Sequence, residues 1–444
     1  MSIRLILEFL VVLAALAVGA RVGGIGLGLW GGVGLLVLAF LGAPPTAPPV
    51  DVMLIILAVI MAASVMEAAG GIDFLVNLAE RIIRKNPKQV TLVAPLVAWL
   101  FTFLAGTGHI VYPLLPVIYE VSHQNGIRPE RPMAIATIAS QQAITASPVS
   151  AATAAMIALF SSHHPAWGLP QILMICVPST LSGVIVAALV QTRVGKELAD
   201  DPEYQARLAA GEVAAPHTET AGKQARVLPT TAKRSALIFL AGVGLVVVLG
   251  LFPALRNLSG GEKSEVIPMP VAIEIVMLAV AAVTLLVTGI KPDLVTKTQT
   301  LRAGVAAVVG IFGLAWLGDT FIASNRDAII GGLGDMATAA PWTFAIGLFL
   351  ASVLLYSQAA TARALMPLGL SLGIAPAFLI GMFPAVNGYF LIPNYGTIIA
   401  AINFDRSGTT RIGKYVINHS FLLPGLISTA VAITVGLALA KFIM

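Results

Sequence analysis

The sequence predicts an all-α polytopic membrane protein of about ten transmembrane helices plus two re-entrant helical hairpins, arranged as two inverted-topology repeats. Three observations carry that prediction. Hydrophobic residues make up 58% of the chain, charged residues only 11%, and the mean hydropathy is +0.93, against about 25% charge in ordinary soluble domains. Short polar stretches, Ala105-Gly-Thr-Gly-His109 and Ser357-Gln-Ala-Ala-Thr361, interrupt apolar segments at corresponding places in the two halves. Basic residues fall overwhelmingly on one side once the apolar segments are threaded through a bilayer.

Apolar runs read as spans at 3–20, 23–42, 50–69, 132–160, 169–191, 235–252, 269–290, 301–317, 376–401 and 415–441, each long enough for a bilayer core that takes about 20 helical residues. Two further stretches, 89–121 and 341–372, are too long for one span and carry a polar break at mid-length. They read as hairpins that enter and leave on the same side, because irregular backbone survives at membrane depth only where protein or a watery cavity surrounds it. With the N-terminus outside, 20 of the 26 Lys and Arg fall inside, 5 fall outside, and Arg363 alone lies within a hairpin. Five spans and one hairpin per half is an odd number of crossings, so the second half enters upside down. The first hairpin then opens from inside and the second from outside.

The division that follows is a first repeat over 1–191, a charged cytoplasmic linker over 192–234 and a second repeat over 235–444. Seven basic and six acidic residues with little apolar periodicity mark the linker as solvated, with a helix around 197–213 at most. Other marks recur in order in the two halves: a span ending near acids (Glu67 and Asp73; Asp319 and Asp327), an amphipathic stretch, a Pro before the hairpin (Pro87; Pro341), the polar tip and a broken span. The first 20 residues resemble a signal peptide, but Glu8 interrupts the apolar stretch and the next span follows at once, so an uncleaved first helix is expected.

Apolar spans broken at matching positions in two halves point to a transporter's substrate site. Each tip is followed by a polar, Pro-containing run, Gln141-Gln-Ala-Ile-Thr-Ala-Ser-Pro148 in the first half and 387–397 with Pro393-Asn394-Tyr395 in the second. Broken helices expose half-helix N-termini whose positive dipole ends attract anions. Thr107, Gln141, Gln142, Thr145, Ser147, Ser357, Gln358, Thr361, Asn387, Asn394 and Thr397 supply hydrogen bonds there without fixed charge, and Gly106 and Gly108 permit close backbone approach. Such a cavity suits a small anion charged at both ends.

Arg363 is the one basic residue inside the membrane, and a charge there costs roughly 2.5–3.5 kcal/mol on insertion scales. It reads either as a bidentate carboxylate clamp or as a structural ion pair with an acid such as Asp319 or Glu67. His109 reads as a substrate or proton-relay group, or as a side chain satisfying backbone at the tip. Asp319 is, with His109, a candidate for coupling an ion, against a helix-terminus structural role. Glu67, Asp73 and Glu274 read as structural or interfacial, and Asp405, Arg406 and Arg411 as a solvated inner loop.

The lone Cys176 sits in an apolar span with no intrachain partner and reads as inert filling. Gly24, Gly28 and Gly32, four apart in one span, are explained by close helix packing rather than a nucleotide loop. No Walker, HExxH, GxSxG or metal-cluster pattern occurs, so no cofactor or metal is expected. The net charge of +5 belongs to the inside loops and not to nucleic acid.

At the tip and its surroundings the sequence becomes specific: Gly19-Ala-Arg-Val-Gly-Gly-Ile-Gly26, Arg84-Lys-Asn-Pro87, Ala105-Gly-Thr-Gly-His109, Arg128-Pro-Glu-Arg-Pro-Met-Ala134 and Ala146-Ser-Pro-Val-Ser150 in the first half; Trp316-Leu-Gly-Asp-Thr320, Ser357-Gln-Ala-Ala-Thr361, Ala364-Leu-Met-Pro-Leu368 and Gly408-Thr-Thr-Arg-Ile-Gly-Lys-Tyr-Val416 in the second. These motifs resemble the anaerobic four-carbon dicarboxylate transporter (Dcu) family of bacterial inner membranes over nearly the whole chain apart from the linker. The resemblance implies transport of fumarate, succinate, malate or aspartate, most typically fumarate uptake exchanged for succinate in fumarate respiration. Ala-Gly-Thr-Gly-His followed by Arg-Pro-Glu-Arg-Pro is most similar to the fumarate/succinate antiporter branch, some members of which partner a membrane sensor kinase. It further implies kinship with an ion-transporter superfamily of inverted repeats and paired hairpins, often homodimeric and moving as an elevator. Carried onto this chain, the site lies around Gly106, Thr107, Gly108 and His109, Ser147 and Pro148, Ser357 to Thr361, and Pro393 to Thr397 with Tyr395 among them. Arg363 departs from the family pattern, which has Lys or a neutral residue there. The competing readings are a proton- or sodium-coupled symporter of the same substrates and, remotely, an intramembrane enzyme, for which His109 lacks a nucleophile or acid partner in a recognised motif.

Overall fold

Residues 3–22, 25–213, 228–257, 266–325, 327–328, 340–355, 357–393, 395–413 and 418–443 are described in the computed structural model of the chain. Nine α-helices occupy the described part of the first half: α1 (Ile3–Val22), α2 (Gly26–Phe40), α3 (Val50–Ala68), α4 (Gly71–Lys85), α5 (Val90–Ala105), α6 (Leu115–Gln124), α7 (Glu130–Gln142), α8 (Ala151–His163) and α9 (Leu169–Gln191). A short helix, α10 (Pro202–Ala209), lies in the linker. The second half contributes α11 (Thr230–Leu251), α12 (Met269–Thr288), α13 (Pro292–Val295), α14 (Gln299–Ser324), α15 (Trp342–Leu355), α16 (Gln358–Ser371), α17 (Pro376–Met382), α18 (Gly396–Phe404) and α19 (Leu422–Ile443). Among the described residues the one β-type pairing is an isolated bridge between Ile412 and His419.

Six of the described helices are long and apolar enough to cross a bilayer alone. A seventh crossing arises if α3 and α4, bent by 73° at their junction, count as one span. The bend sits at Gly70, whose φ of +83° lies in the left-handed region that a side chain disfavours. Beyond it α4 is amphipathic: Leu75, Ala79 and Ile83 are buried four residues apart, while Asp73 opens the helix and Arg84 and Lys85 close it, as the macrodipole prefers.

Several expected boundaries shift. The 132–160 run is two helices, α7 and α8, separated by a 3-10 turn over Ala143–Thr145 and non-helical backbone at 146–150. The 376–401 run divides likewise into α17, a 3-10 stretch over Phe383–Phe390 and α18. Helix α14 runs 26 residues, longer than the expected 301–317, so Asp319 lies within the helix and not beyond its end. The last span begins at Leu422, after a turn at 418–421.

Close helix contact is made by glycine. A Cβ on Gly28 would fall 1.9 Å from the Val309 carbonyl oxygen, and one on Gly313 would fall 1.7 Å from the carbonyl oxygen of Gly28. Helices α2 and α14 therefore touch backbone to backbone, as small residues permit in apolar surroundings. Of the three glycines expected to do this, Gly28 does, Gly32 faces open space, and Gly24 lies outside the described residues. Gly31 takes the place expected of Gly32, meeting Gly313, because a helix facing one neighbour repeats at three as well as four residues. Gly381 and Gly436 form a similar approach between α17 and α19.

The described part of the linker is docked rather than merely solvated. Tyr204 of α10 is buried with Leu198 and Val213, and its hydroxyl lies 2.9 Å from Nε2 of the buried His123 on α6. Asp201 caps α10 through the N–H groups of Glu203 and Tyr204 and also accepts from Arg128, which in turn pairs with Glu130 at 2.6 Å. Arg131 donates to the carbonyls of Val194 and Gly195 and pairs with Glu197 at 2.7 Å. On its other side α10 reaches the second half, where Arg207 donates to the Ser407 carbonyl at 2.7 Å and Glu203 pairs with Arg411. Burial works against the Asp201 carboxylate, but the Arg128 guanidinium and the backbone N–H groups of Tyr204 and Glu203 outweigh it and hold its carboxyl below the usual range.

The loop after α18 also differs from a solvated one. Asp405 is buried and accepts from Ser407, the hydroxyl of Thr409 at 2.8 Å and the backbone N–H of Thr410 at 2.6 Å. One carboxylate thus folds the turn around itself. Arg406 and Arg411 remain on its outside.

Candidate functional site

Helix α5 stops at Gly106, whose φ of +73° closes the helix in the left-handed conformation that commonly ends helices. Thr107 is extended and its hydroxyl accepts from the N–H of His109 at 3.3 Å, starting a 3-10 turn over Gly108–Val111. Neither glycine of the tip has room for a side chain. A Cβ on Gly106 would fall 2.7 Å from the Val149 carbonyl oxygen, and one on Gly108 would fall 2.3 Å from Nε2 of Gln141. The tip is thereby pressed against the end of α7 and the break that follows it.

Within that break Ser147 donates to the Phe103 carbonyl at 2.7 Å, covering the C-terminal end of α5. Ser150 caps α8 by accepting from the Thr153 N–H at 3.1 Å. Thr145 donates its hydroxyl to the Gln142 carbonyl, and Pro148 stands between the two serines. The second tip is built alike: Ser357 is extended and caps α16 through the Ala360 N–H at 3.2 Å, and Thr361 donates back to the Ser357 carbonyl.

The two halves meet through a chain of buried amides. Gln358 donates from one Nε2 to Oε1 of Gln141 at 3.1 Å and to Oδ1 of Asn387 at 3.2 Å. Asn387 donates to Oε1 of Gln142 at 3.2 Å, and Gln142 donates to the Thr429 hydroxyl at 2.7 Å. The second tip, both broken spans and, through Gly108 against Gln141, the first tip are thus joined in one constellation. Inside a protein the bonds of such a network polarise and strengthen one another.

Beside the first tip a cavity of about 150 Å³ is lined by Gly106, Thr107, His109, Val149 and Ala151, with α3 and the start of α14 (Thr300, Ala303, Gly304) as its far wall. Glu67 holds that wall, accepting from the N–H groups of Gln299 and Thr300 at 3.0 Å each. Glu67 is therefore a helix cap. Of the two acids expected as partners of Arg363, the one it meets is Asp319, Nη2 to Oδ2 at 2.8 Å across α16 and α14, while Nε of Arg363 is buried without a hydrogen-bond partner.

Asn394 lies outside the described residues. Its neighbour Tyr395 stands at the N-cap position of α18 without a side-chain capping hydrogen bond, its ring 4.8 Å from that of Tyr389. Tyr112, just past the first tip, places its hydroxyl where a Cβ on Gly396 would stand, at 2.5 Å, and its ring lies 5.9 Å from that of His109. The hydroxyls of Tyr389 and Thr397 are buried with no hydrogen-bond partner. Tyr112, Tyr389 and Thr429 are not singled out by sequence; proximity of Tyr389 to Asn387 in the chain is the one local signal available for any of them.

The model of the anaerobic C4-dicarboxylate membrane transporter family matches residues 4–444. The chain belongs to that family. It is 42% identical over 441 residues to the C4-dicarboxylate transporter DcuA of Escherichia coli K12, covering 99% of this chain and all of that one. Its identity to the Wolinella succinogenes DcuA is 41% over 441 residues, covering 99% of this chain and all of that one, and to the anaerobic C4-dicarboxylate transporter DcuB of Escherichia coli O157:H7 it is 40%, covering 97% of each. These relatives are named as transporters, a role that involves no catalysis. In fold, this Dcu-family chain is similar to the YdaH transporter of Alcanivorax borkumensis, with a TM-score of 0.59 at 17% identity over 87% of this chain and 84% of that one. It is also similar to MtrF of Neisseria gonorrhoeae, with a TM-score of 0.51 at 14% identity over 89% and 80%. At such identities these two likenesses concern the fold alone.

Proposed function

We propose that this chain is a secondary carrier of four-carbon dicarboxylates, exchanging fumarate for succinate across the bacterial inner membrane by an alternating-access, elevator-type motion. The observation that carries the reading is the amide chain Gln141–Gln358–Asn387–Gln142, which gathers the polar breaks of both halves at one place in a family of dicarboxylate transporters. Around it stand two helix N-termini, those of α8 and α16, capped by Ser150 and Ser357. Paired N-termini with neutral donors favour an anion charged at both ends. The substrate set comprises Gly106, Thr107, Gly108, His109, Gln142, Thr145, Ser147, Pro148, Ser357, Gln358, Thr361, Arg363, Asn387, Asn394, Tyr395 and Thr397, with Asp319 and His109 as the groups able to couple an ion.

The architecture that goes with it is ten spans and two hairpins, in inverted repeats over 1–191 and 235–444 joined by a cytoplasmic linker. Both termini are periplasmic, and the carrier assembles as a homodimer, with a membrane sensor kinase as a further partner. The recurring order of hairpin, break and half-helix in α5–α8 and α15–α18 supports the repeat, and the concentration of Lys and Arg supports the orientation.

Uptake of labelled fumarate into proteoliposomes preloaded with succinate, compared with empty ones under imposed pH and sodium gradients, tests the reading. Uptake that depends on internal succinate is expected. Equal uptake into empty vesicles driven by an ion gradient would make the carrier a symporter, and none at all with folded protein would overturn the substrate assignment.

A further inference from the structure

Two hydroxyls in the second broken span have no partner, and both sit in the protein interior: Tyr389 is 3% exposed and Thr397 fully buried. An unpaired buried hydroxyl is costly, and most buried polar atoms find a partner. By contrast, neighbouring side chains are occupied: Asn387 donates to Gln142 and Pro384, Gln358 donates twice, and Thr361 bonds its own helix. Other buried polar atoms among the described residues also lack a partner, Nε of Arg363 among them, but within the second broken span the unpaired hydroxyls are these two, and both lie where α18 begins. Thr397 is the second residue of α18, and Tyr389 packs its ring 4.8 Å from Tyr395, the residue at the helix's N-cap position, which makes no side-chain capping hydrogen bond.

The first half closes over the same spot. Tyr112 brings a third hydroxyl against Gly396, where a Cβ would stand only 2.5 Å from it, and links the spot to His109 of the first tip. Glycine at 396 lets the Tyr112 hydroxyl approach the backbone of the first turn where a side chain would exclude it. Helix α18, of nine residues, also directs its positive end at this place.

We infer that Tyr389 and Thr397, with Tyr112 closing over them, form a carboxylate subsite at the N-terminus of α18 that recognises one end of the dicarboxylate through neutral hydroxyl donors. The inference rests on the dicarboxylate-carrier reading and adds to it which groups receive a carboxylate without a fixed positive charge. Hydroxyls are suited to a carrier because each donates to a carboxylate oxygen, and the bound anion is then released without separating an ion pair. Tyr389 and Tyr112 become specificity-determining residues under this assignment, and Arg363, held by Asp319, is not required for that end of the substrate.

The test uses full-length protein in detergent, with succinate as probe. Tyr389→Phe and Thr397→Val each remove a hydroxyl without removing much volume, and Thr397→Ser restores one. The expected result is an unchanged or raised Tm without ligand, since the lost hydroxyl had no partner, together with succinate binding weakened about tenfold, the scale of one hydrogen bond to a charged group, and recovered in Thr397→Ser. A lower Tm without ligand would overturn the inference, because the hydroxyl would then already have a protein partner. Unchanged succinate affinity in both hydroxyl-lacking variants would overturn it as well, while leaving the carrier reading intact if the unmodified protein binds and transports succinate. Failure of the unmodified protein to bind any four-carbon dicarboxylate would overturn both.

Discussion

A guanidinium in an apolar span takes its meaning from its partner, and for Arg363 that partner is Asp319 at 2.8 Å, with both side chains largely buried. Removing one member of such a pair strands the other, which costs about 3 kcal/mol, whereas removing both is far milder. Asp319→Asn is therefore expected to lower Tm more than Asp319→Asn combined with Arg363→Gln; equal losses would mean that the two charges are not coupled. Arg363→Gln by itself also tests the clamp reading, since unchanged succinate affinity in a folded variant removes Arg363 from the substrate site. The amide chain admits an equally direct test. Nε2 of Gln358 faces two carbonyl oxygens, so Gln358→Glu places a third acceptor against them. Thermal unfolding should show Gln358→Glu destabilised by about 1–3 kcal/mol, the cost of buried groups left unpaired, and no loss of Tm would argue against this pairing.

At the scale of elements, the contact of α2 with α14 depends on the absence of a Cβ at particular positions. Gly313→Ala would push a methyl into the Gly28 backbone, whereas Gly310→Ala meets nothing within 4 Å and gains the better helix propensity of Ala, about 1 kcal/mol. Thermal scans of the two variants should move in opposite directions; a shared direction would mean that α2 does not lie where these distances put it. The linker helix α10 is held by charge. The carboxyl of Asp201 is held below its ordinary range, so its ionised form contributes stability that is complete above about pH 4, the unfolded value, and is lost as pH falls through the lower folded value. Hydrogen exchange of 198–209 should therefore quicken at pH below about 4, and Asp201→Asn should abolish that dependence. Much of this architecture is legible in the sequence: the polar breaks at 105–109 and 357–361 do end α5 and begin α16. The docking of α10 is not, because Tyr204, Arg128 and Arg411 are far apart in the chain and nothing in a polar segment's composition says whether its side chains find partners.

For the whole molecule, α10 spans from His123 and Arg128 in the first half to Ser407 and Arg411 in the second. A segment whose composition marks it as a mere connection thus ties the two halves at one end of the helices, while the amides tie them at the polar breaks. Under the proposed orientation that end is cytoplasmic. In a Cys176→Ala background, Glu212→Cys, at an exposed position, should react with a membrane-impermeant maleimide in inverted vesicles and stay protected in intact spheroplasts. The reverse pattern would invert the topology.

The amino-acid sequence alone was enough to determine a helical membrane protein, the positions where its helices break, and membership of a dicarboxylate-transporter family, because hydropathy, glycine and proline punctuation, and short motifs are all local properties of the chain. Which polar groups meet was decided only by the tertiary structure. Gln141 and Gln358 lie 217 residues apart, and Glu67 and Thr300 lie 233 apart, yet each pair hydrogen-bonds. The sequence left Arg363 between a substrate clamp and an ion pair, and pointed to Gly32 as a packing residue where the structure uses Gly31. Those choices turn on distances of a few ångströms set by how the helices cross, and a side chain's own identity contains no record of its distant neighbour.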